Sequence, residues 1–347
     1  MAWSLCDACG RARLPKGLVR LFYSYPLNHR QYKIVTTLIT GGAGFIGSRL
    51  ALTLRAQGER VIILDNFNDY YDPALKRANA ALFDSDDDAV VVEGDIRDAE
   101  VVERVVREQG VQRVAHLAAM AGVRNTEAAL LYHAVNGTGS INVLEAARKH
   151  GVRQVVLGST SSVYGNTPQI PFVETDAADR PLAPYPASKR ASEIWGHSYH
   201  HLYGLNVTCL RFFNVYGPHG RPDMMPMRVI KAIRNEEPVT LFDAGKLSRD
   251  WTYVDDIVDG VVAAMGRPLG YDIINLGYGA PMSMIDFVDY FEQLSGTTVE
   301  RINVPAPPTD VPITFCNNEK ACRLLDFAPK VPVREGLRRT WEWATSL

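Results

Sequence analysis

Thr40-Gly-Gly-Ala-Gly-Phe-Ile-Gly47 closes a β-branched run, Ile34 to Thr40, and the residues from Phe45 to Leu54 then repeat apolar positions at helical spacing. A strand thus ends in a glycine turn that opens a helix. In that context Gly41, Gly44 and Gly47 carry meaning, because glycine permits the tight turn and lets backbone N–H groups approach a pyrophosphate at the helix N-terminus. Asp65 ends the next strand, Arg60 to Asp65, 24 residues after Gly41. A carboxylate there accepts hydrogen bonds from the adenosine ribose hydroxyls and repels a 2′-phosphate, which points to NAD rather than NADP. Asp95 and Ile96, after a third strand from Val90 to Glu93, are expected beside the adenine.

Outward from this turn the alternation continues. Helical spacing covers Asp98 to Glu108, Ala134 to His150 and Ala187 to Tyr203, and buried-strand patterns cover Arg113 to Leu117, Gln154 to Gly158 and Val207 to Phe213. Strands alternating with helices predict a parallel sheet covered on both faces. Beyond Phe213 prolines 218, 222 and 226 interrupt the rhythm. Short strands follow at Val239 to Phe242, Tyr271 to Asn275 and Thr298 to Val304, with helices around Met227 to Arg234, Ile285 to Leu294, Glu319 to Leu325 and Arg334 to Thr345. The expected fold class is α/β. A Rossmann-type doubly wound parallel sheet spans residues 33–213, with contributions from about 243–277, and a smaller C-terminal α/β substrate lobe spans 214–347.

The 347 residues are 46% apolar and 22% charged, a balance that excludes wholesale disorder. With 37 basic against 39 acidic residues there is no positive field to gather nucleic acid or an anionic membrane. No apolar run approaches the ~20 residues of a membrane span. Five cysteines, an odd and scattered set, indicate a reducing compartment and a cytoplasmic location. Residues 1–32 read as a weakly ordered leader with incidental thiols at Cys6 and Cys9, without the apolar segment of a secretory signal. No metal site is expected. His116 reads as a hydrogen-bonded structural residue, His197, His200 and His201 share a helix without a partner at ligand spacing, and Asp255 is expected to cap a helix.

Tyr185-x-x-x-Lys189 opens the helix after the fifth strand, with Pro186 suited to its first position. Lys189 then lies one turn along the same face as Tyr185, so its ammonium favours phenolate and lets Tyr185 act as a base. Thr160, 25 residues earlier at the end of the fifth strand, is placed to bridge Tyr185 and a substrate hydroxyl.

With these residues in hand, the sequence resembles the extended short-chain dehydrogenase/reductase family, and within it the members that modify nucleotide sugars. The resemblance runs from about Lys33 to the C-terminus. It rests on Thr40-Gly-Gly-Ala-Gly-Phe-Ile-Gly47, His116-Leu-Ala-Ala119, Val135-Asn-Gly-Thr138, Ser161-Ser-Val-Tyr-Gly165, Tyr185-x-x-x-Lys189, Arg211-Phe-Phe-Asn-Val-Tyr-Gly-Pro218 and Arg249-Asp-x-x-Tyr-Val-Asp-Asp256. It implies catalytic roles for Thr160, Tyr185 and Lys189, with Asn136 supporting Lys189. It adds Phe45, Ile46, Asn66, Asn68, Leu117, Ala118, Ala119 and Asn136 to the NAD contacts, makes Asn214 and Arg249 contacts to a substrate diphosphate, and implies a homodimer.

The resemblance also narrows the reaction. Dehydratases of the family resemble one another in an Asp-Glu pair after the catalytic Thr, and glucuronate decarboxylases in a Glu at the second of those positions. Ser161 and Ser162 stand there in this chain, so no acid is available for elimination or decarboxylation. The remaining fate of a 4-keto sugar is hydride return to the opposite face, which is 4-epimerisation. Asp65-Asn-Phe-Asn-Asp-Tyr-Tyr-Asp-Pro73, Ala121-Gly-Val-Arg124 and Gly220-Arg-Pro-Asp-Met224 are similar to the UDP-glucuronate 4-epimerases more than to the UDP-galactose enzymes. The hydroxyls of Thr160, Ser161 and Ser162 suit a C6 carboxylate, and Arg124 and Arg221 are further candidate anion contacts. Asn214 stands where many of those epimerases have Thr, and Pro307 where a polar residue is frequent. Two alternatives remain: a 4-epimerase for UDP-galactose or a UDP-N-acetylhexosamine, and a non-catalytic NAD-binding protein.

Overall fold

The computed structural model describes residues 35–346. The expectations for residues 1–32, Cys6 and Cys9 included, lie outside the described residues. In chain order the first half runs β1 (Thr36–Thr40), α1 (Phe45–Ala56), β2 (Arg60–Asp65), α2 (Pro73–Ala81), β3 (Ala89–Glu93), α3 (Ala99–Glu108), β4 (Arg113–His116), α4 (Ala129–Tyr132), a π-helical turn (His133–Thr138), α5 (Gly139–Lys149), β5 (Gln154–Thr160), α6 (Pro184–Tyr203) and β6 (Val207–Phe212). The second half runs β7 (Asn214–Tyr216), α7 (Met225–Asn235), β8 (Val239–Phe242), β9 (Ser248–Tyr253), α8 (Val254–Met265), β10 (Tyr271–Leu276), β11 (Pro281–Ser283), α9 (Met284–Ser295), β12 (Arg301–Val304), α10 (Glu319–Leu325) and α11 (Val333–Thr345).

Seven strands form one sheet in the order β10-β6-β5-β4-β1-β2-β3, every neighbouring pair parallel. Strand alternation divides the core. Ile39 of β1 packs into an apolar layer with α1 and α8, while Leu38 beside it packs into a second layer with α3, α5 and α6. Both faces are therefore covered, which is why these strands read as continuous apolar runs. From β1 the chain winds outward through β2 and β3, then crosses back to β4 on the other side. A crevice opens at the carboxyl ends of β1 and β4, the place where such sheets take ligands.

Tyr271–Leu276, read from sequence among the short late strands, is the seventh strand of this sheet and pairs with Val207–Phe212. The continuous helix expected from Ala134 begins instead as the π-helical turn, because its wider hydrogen bonding is invisible to apolar spacing. The helix expected from Ala187 begins at Pro184, whose missing N–H costs nothing in a first turn. Asp255 does not cap α8. Tyr253 holds the extended capping position, and Asp255 lies in the first turn with its carboxylate 3.1 Å from Arg49 Nη2. His116 is hydrogen-bonded on both ring nitrogens, to Thr40 Oγ1 at 2.7 Å and Ser140 Oγ at 2.9 Å, and burial lowers its pKa to about 3.

The remaining strands make two small sheets, β11-β9-β7 and β12-β8, around an apolar cluster that includes Ile230, Trp251, Phe287, Phe291 and Leu337. Asp250 ties this part to the main sheet. Its buried carboxylate accepts backbone N–H groups from Cys316 at 2.9 Å, Gly279 at 3.0 Å and Tyr278 at 3.1 Å. Among the described residues no helix is long and apolar enough to cross a membrane, and no three His, Cys, Asp or Glu side chains are grouped to hold a metal.

Asp250→Asn replaces one acceptor oxygen by an amide that faces those N–H donors. Chemical denaturation should show a loss of about 1–3 kcal/mol, the cost of leaving buried donors unmet. An unchanged midpoint would show that the junction does not depend on this carboxylate.

Candidate active site

The crevice begins at the glycine turn. Gly41 has φ +68°, and a Cβ on Gly47 would lie 2.2 Å from the Gly41 carbonyl oxygen, so neither position admits a side chain. The turn thereby brings the first N–H groups of α1 to the open end of β1. Such a cradle fits a pyrophosphate. Asp65 stands beside it, its carboxylate accepting the N–H of Phe67 at 2.9 Å and of Ala43 at 3.2 Å, with burial raising its pKa. Asn66 donates to Asp95 at 2.8 Å, and Arg97 on the other side of Asp95 holds that carboxyl down at about 2.

A cavity of about 210 Å³ follows this turn. Gly41, Gly44, Phe45, Ile46, Gly47, Asp65, Asn66, Asn68, Asp95, Ile96, Leu117, Ala118, Ala119, Tyr185 and Lys189 all line it. Asn136 does not. It is fully buried in the π-helical turn, accepting the Met120 N–H at 2.8 Å and donating to Ser188 Oγ at 2.9 Å, so it braces the helix that carries Lys189.

Against this cavity lies a larger one of about 530 Å³, lined by Arg124, Thr160, Ser161, Ser162, Tyr185, Asn214, Arg221 and Arg249. Tyr185 lines both, as do Tyr70, Ser159 and Arg221. The phenol therefore sits where the two spaces meet. Burial raises its pKa, while a hydrogen bond from Thr160 and the charge of Arg221 pull it down. Burial lowers the Lys189 pKa to about 8, and Glu193 one turn further on works against that fall. Thr160 and Arg221 thus act on the phenol in the direction that sequence spacing assigned to Lys189.

The arginines differ in how they are held. Arg221 forks onto Asp223 through Nε at 2.9 Å and Nη2 at 2.8 Å. Arg124 reaches Asp310 at 2.8 Å and lies over the Phe242 ring. Arg249 donates to the carbonyls of Ser248 at 2.8 Å and Val311 at 2.9 Å, which leaves its other nitrogens for a ligand. Asn214 accepts from Thr314 Oγ1 at 3.3 Å. Sequence reasoning missed Tyr70, Ser159, Phe242 and Asp310 as lining residues. Tyr70 lies inside a quoted motif, but Asp310 follows Pro307 and Pro308 in a stretch with no motif to mark it.

Residues 37–277 match the model of the NAD dependent epimerase/dehydratase family. A UDP-glucuronate 4-epimerase of Thermodesulfobacterium geofontis is 41% identical over 310 residues, 88% of this chain and 95% of that one. Among solved structures, the UDP-glucuronic acid 4-epimerase of Bacillus cereus in complex with UDP-glucuronic acid and NAD is 30% identical, with a TM-score of 0.84 over 90% of this chain and 99% of that one. The UDP-glucose 4-epimerase of Thermotoga maritima with UDP-glucose is also 30% identical, with a TM-score of 0.83 over the same shares. Glycine cradle, ribose carboxylate and tyrosine–lysine pair agree with that likeness, and the chain belongs to the NAD-dependent epimerase/dehydratase family.

Proposed function

We propose that this chain interconverts UDP-glucuronate and UDP-galacturonate by oxidation at C4, rotation of the 4-keto sugar and reduction from the other face, with NAD held throughout. The observation that carries this reading is the wall beside Tyr185. Thr160, Ser161 and Ser162 present hydroxyls there, the Arg221 charge is close by, and no carboxylic acid occupies positions 161 or 162.

NAD held in this crevice would supply a hydride acceptor, and in its reduced form a hydride donor, for C4 of the sugar. The chain supplies the rest. Tyr185 removes the proton from the 4-hydroxyl, and Thr160, on the same wall of the larger cavity, holds that hydroxyl in line. Gly41 to Gly47 and Asp65 hold the dinucleotide, Lys189 its nicotinamide ribose, and Arg249 with Asn214 the substrate diphosphate. Redox neutrality follows, because the hydride that leaves C4 returns to C4.

A hexuronate oxidised at C4 is a β-keto acid, and it loses CO₂ when its C5–C6 bond aligns with the carbonyl π system. An epimerase must restrain that carboxylate while the ring turns. Thr160 accepts the Ser162 N–H at 3.2 Å and donates to Ser162 Oγ at 3.3 Å, so these two side chains are ordered together, with Ser161 between them in the same wall. Several donors fix a carboxylate's rotation better than one. The second reading is a 4-epimerase for UDP-galactose or a UDP-N-acetylhexosamine, supported by the likeness to the UDP-glucose 4-epimerase of Thermotoga maritima.

We further propose a cytoplasmic homodimer. Cys209, Cys316 and Cys322 are free thiols, in keeping with a reducing compartment. Leu130 and Leu131 on α4, with Ile194, Trp195 and Leu202 on α6, form an exposed apolar surface that a second copy would cover.

Incubated with UDP-glucuronate and no added NAD, the purified protein should yield UDP-galacturonate by NMR without release of CO₂. Turnover of UDP-galactose alone would favour the second reading, and CO₂ as main product would overturn both. Tyr185→Phe should bind both ligands yet lose about 10²- to 10⁴-fold in rate. Near-normal turnover would move the base elsewhere. Ser161→Ala with Ser162→Ala should slow epimerisation and raise the share of UDP-pentose; slowing without pentose would show binding without protection. Light scattering should report a dimer, and Trp195→Glu with Leu130→Asp a monomer. A wild-type monomer would leave the apolar surface without this role.

A further inference from the structure

Residues 66–72 lead from β2 to α2 along the mouth of the smaller cavity, and they are ordered by their own side chains. Asn66 Oδ1 accepts the Asn68 N–H at 3.1 Å, Asn68 Oδ1 accepts the Tyr70 N–H at 3.2 Å, and Lys76 Nζ ties Asn68 back to α2 at 2.7 Å. The far end of this segment reaches across to the other lobe. Tyr70 Oη donates to Asp223 Oδ2 at 3.3 Å, and the Arg221 guanidinium lies over the Tyr70 ring, 5.6 Å from its centre. Room for that hydroxyl comes from Gly122, where an added Cβ would stand 2.7 Å from Tyr70 Oη.

Two facts give this contact consequence. Asp223 is the carboxylate that grips Arg221 with both oxygens, and Arg221 is one of the charges acting on the Tyr185 phenol. Tyr70 and Arg221 also line both cavities, so the contact stands at the boundary between the two spaces, beside the residues assigned to the dinucleotide. Among the described residues, the other side-chain hydrogen bonds of the 66–72 segment run to its own side of the crevice.

We propose that Tyr70 is a latch and a positioning residue: its hydroxyl closes residues 66–72 over bound NAD and, through Asp223, holds Arg221 beside the reacting sugar. This rests on the cofactor and substrate assignments above. The latch gives a physical reason for a redox-neutral enzyme to keep its cofactor between turnovers. Release of NAD requires the Tyr70–Asp223 bond to break, whereas entry of the sugar nucleotide uses the larger cavity and leaves the bond closed.

The test uses the holoenzyme. NAD remaining on the protein is followed after dilution by rapid gel filtration, with the thermal midpoint recorded for each variant. Tyr70→Phe keeps the ring under Arg221 and removes only the hydroxyl. It should release NAD about tenfold faster, the effect of one hydrogen bond to a charged group, with an unchanged midpoint and activity that now rises on adding NAD. At saturating NAD its KM for UDP-glucuronate should rise more than its kcat falls. Asp223→Asn should speed NAD release similarly, and the double variant should release no faster than either single one, because both remove the same bond. Unchanged NAD release in Tyr70→Phe overturns the latch, as does a double variant whose effects simply add. Faster release in a protein inactive on UDP-glucuronate supports the latch and overturns only the substrate assignment. A protein that binds no NAD overturns the cofactor assignment and the latch together.

Discussion

One buried carboxylate holds the catalytic helix to the sheet. Glu193, on α6 one turn beyond Lys189, accepts Ser159 Oγ at 2.6 Å, Arg211 Nε at 2.9 Å and Nη2 at 2.8 Å, and Arg190 Nη1 at 3.0 Å. Ser159 precedes Thr160 at the end of β5, and Arg211 lies on β6, so a single side chain fixes three elements at the depth of the chemistry. Neither Glu193 nor Arg211 is accessible to water, and losing one partner of such a pair costs about 3–5 kcal/mol because the other charge stays buried. Arg211 is braced again from below, its guanidinium 4.6 Å from the centre of the Tyr164 ring, whose hydroxyl donates to Asn275 of β10. The spacing of Tyr185 from Thr160 follows from this frame.

That frame explains what was legible in the sequence and what was not. The glycine turn, Asp65 and the tyrosine–lysine pair are local: each is a few residues whose meaning follows from a strand ending and a helix beginning, and the alternation of elements gave the parallel sheet. Contacts that join distant segments leave no such trace. Nothing in the spacing of residues 66–72 shows that Tyr70 meets Asp223, 153 residues on, or that Arg124 meets Asp310. The seventh strand was legible as a strand, and a contribution of residues 243–277 to the main domain was expected, but its pairing with β6 was not, because pairing partners are chosen by packing. The same limit hid the π-helical turn, whose reason lies in the carbonyl of Asn136 accepting the hydroxyls of Ser140 and Ser192.

Electrostatics was the least legible layer. A lysine one turn from a tyrosine is readable in the sequence, but burial that lowers the Lys189 pKa, Glu193 that opposes this fall, and Thr160 and Arg221 that lower the phenol's are not. Burial, which sequence does not report, decides how far a charge is felt. The arginines of the larger cavity show the same principle: Arg221 and Arg124 are already paired with Asp223 and Asp310, so their donors are oriented before any ligand arrives.

The two cavities divide the work that the proposed cycle requires. A cofactor that stays needs a close, fully engaged crevice, and the smaller space of about 210 Å³ is walled by glycine backbone and by side chains already tied to one another. A sugar that must turn over needs room, and the larger space of about 530 Å³ is walled in part by Met224, Met225 and Met284. Methionine is unbranched and adaptable, so such a wall accommodates a moving ring without losing contact with it. Arg249 and Arg221 both line that space, and under the proposed assignment the first would anchor the diphosphate while the sugar rotates beside the second. Retention and rotation thus come from one fold because Tyr185 stands at the boundary between a tight space and a roomy one.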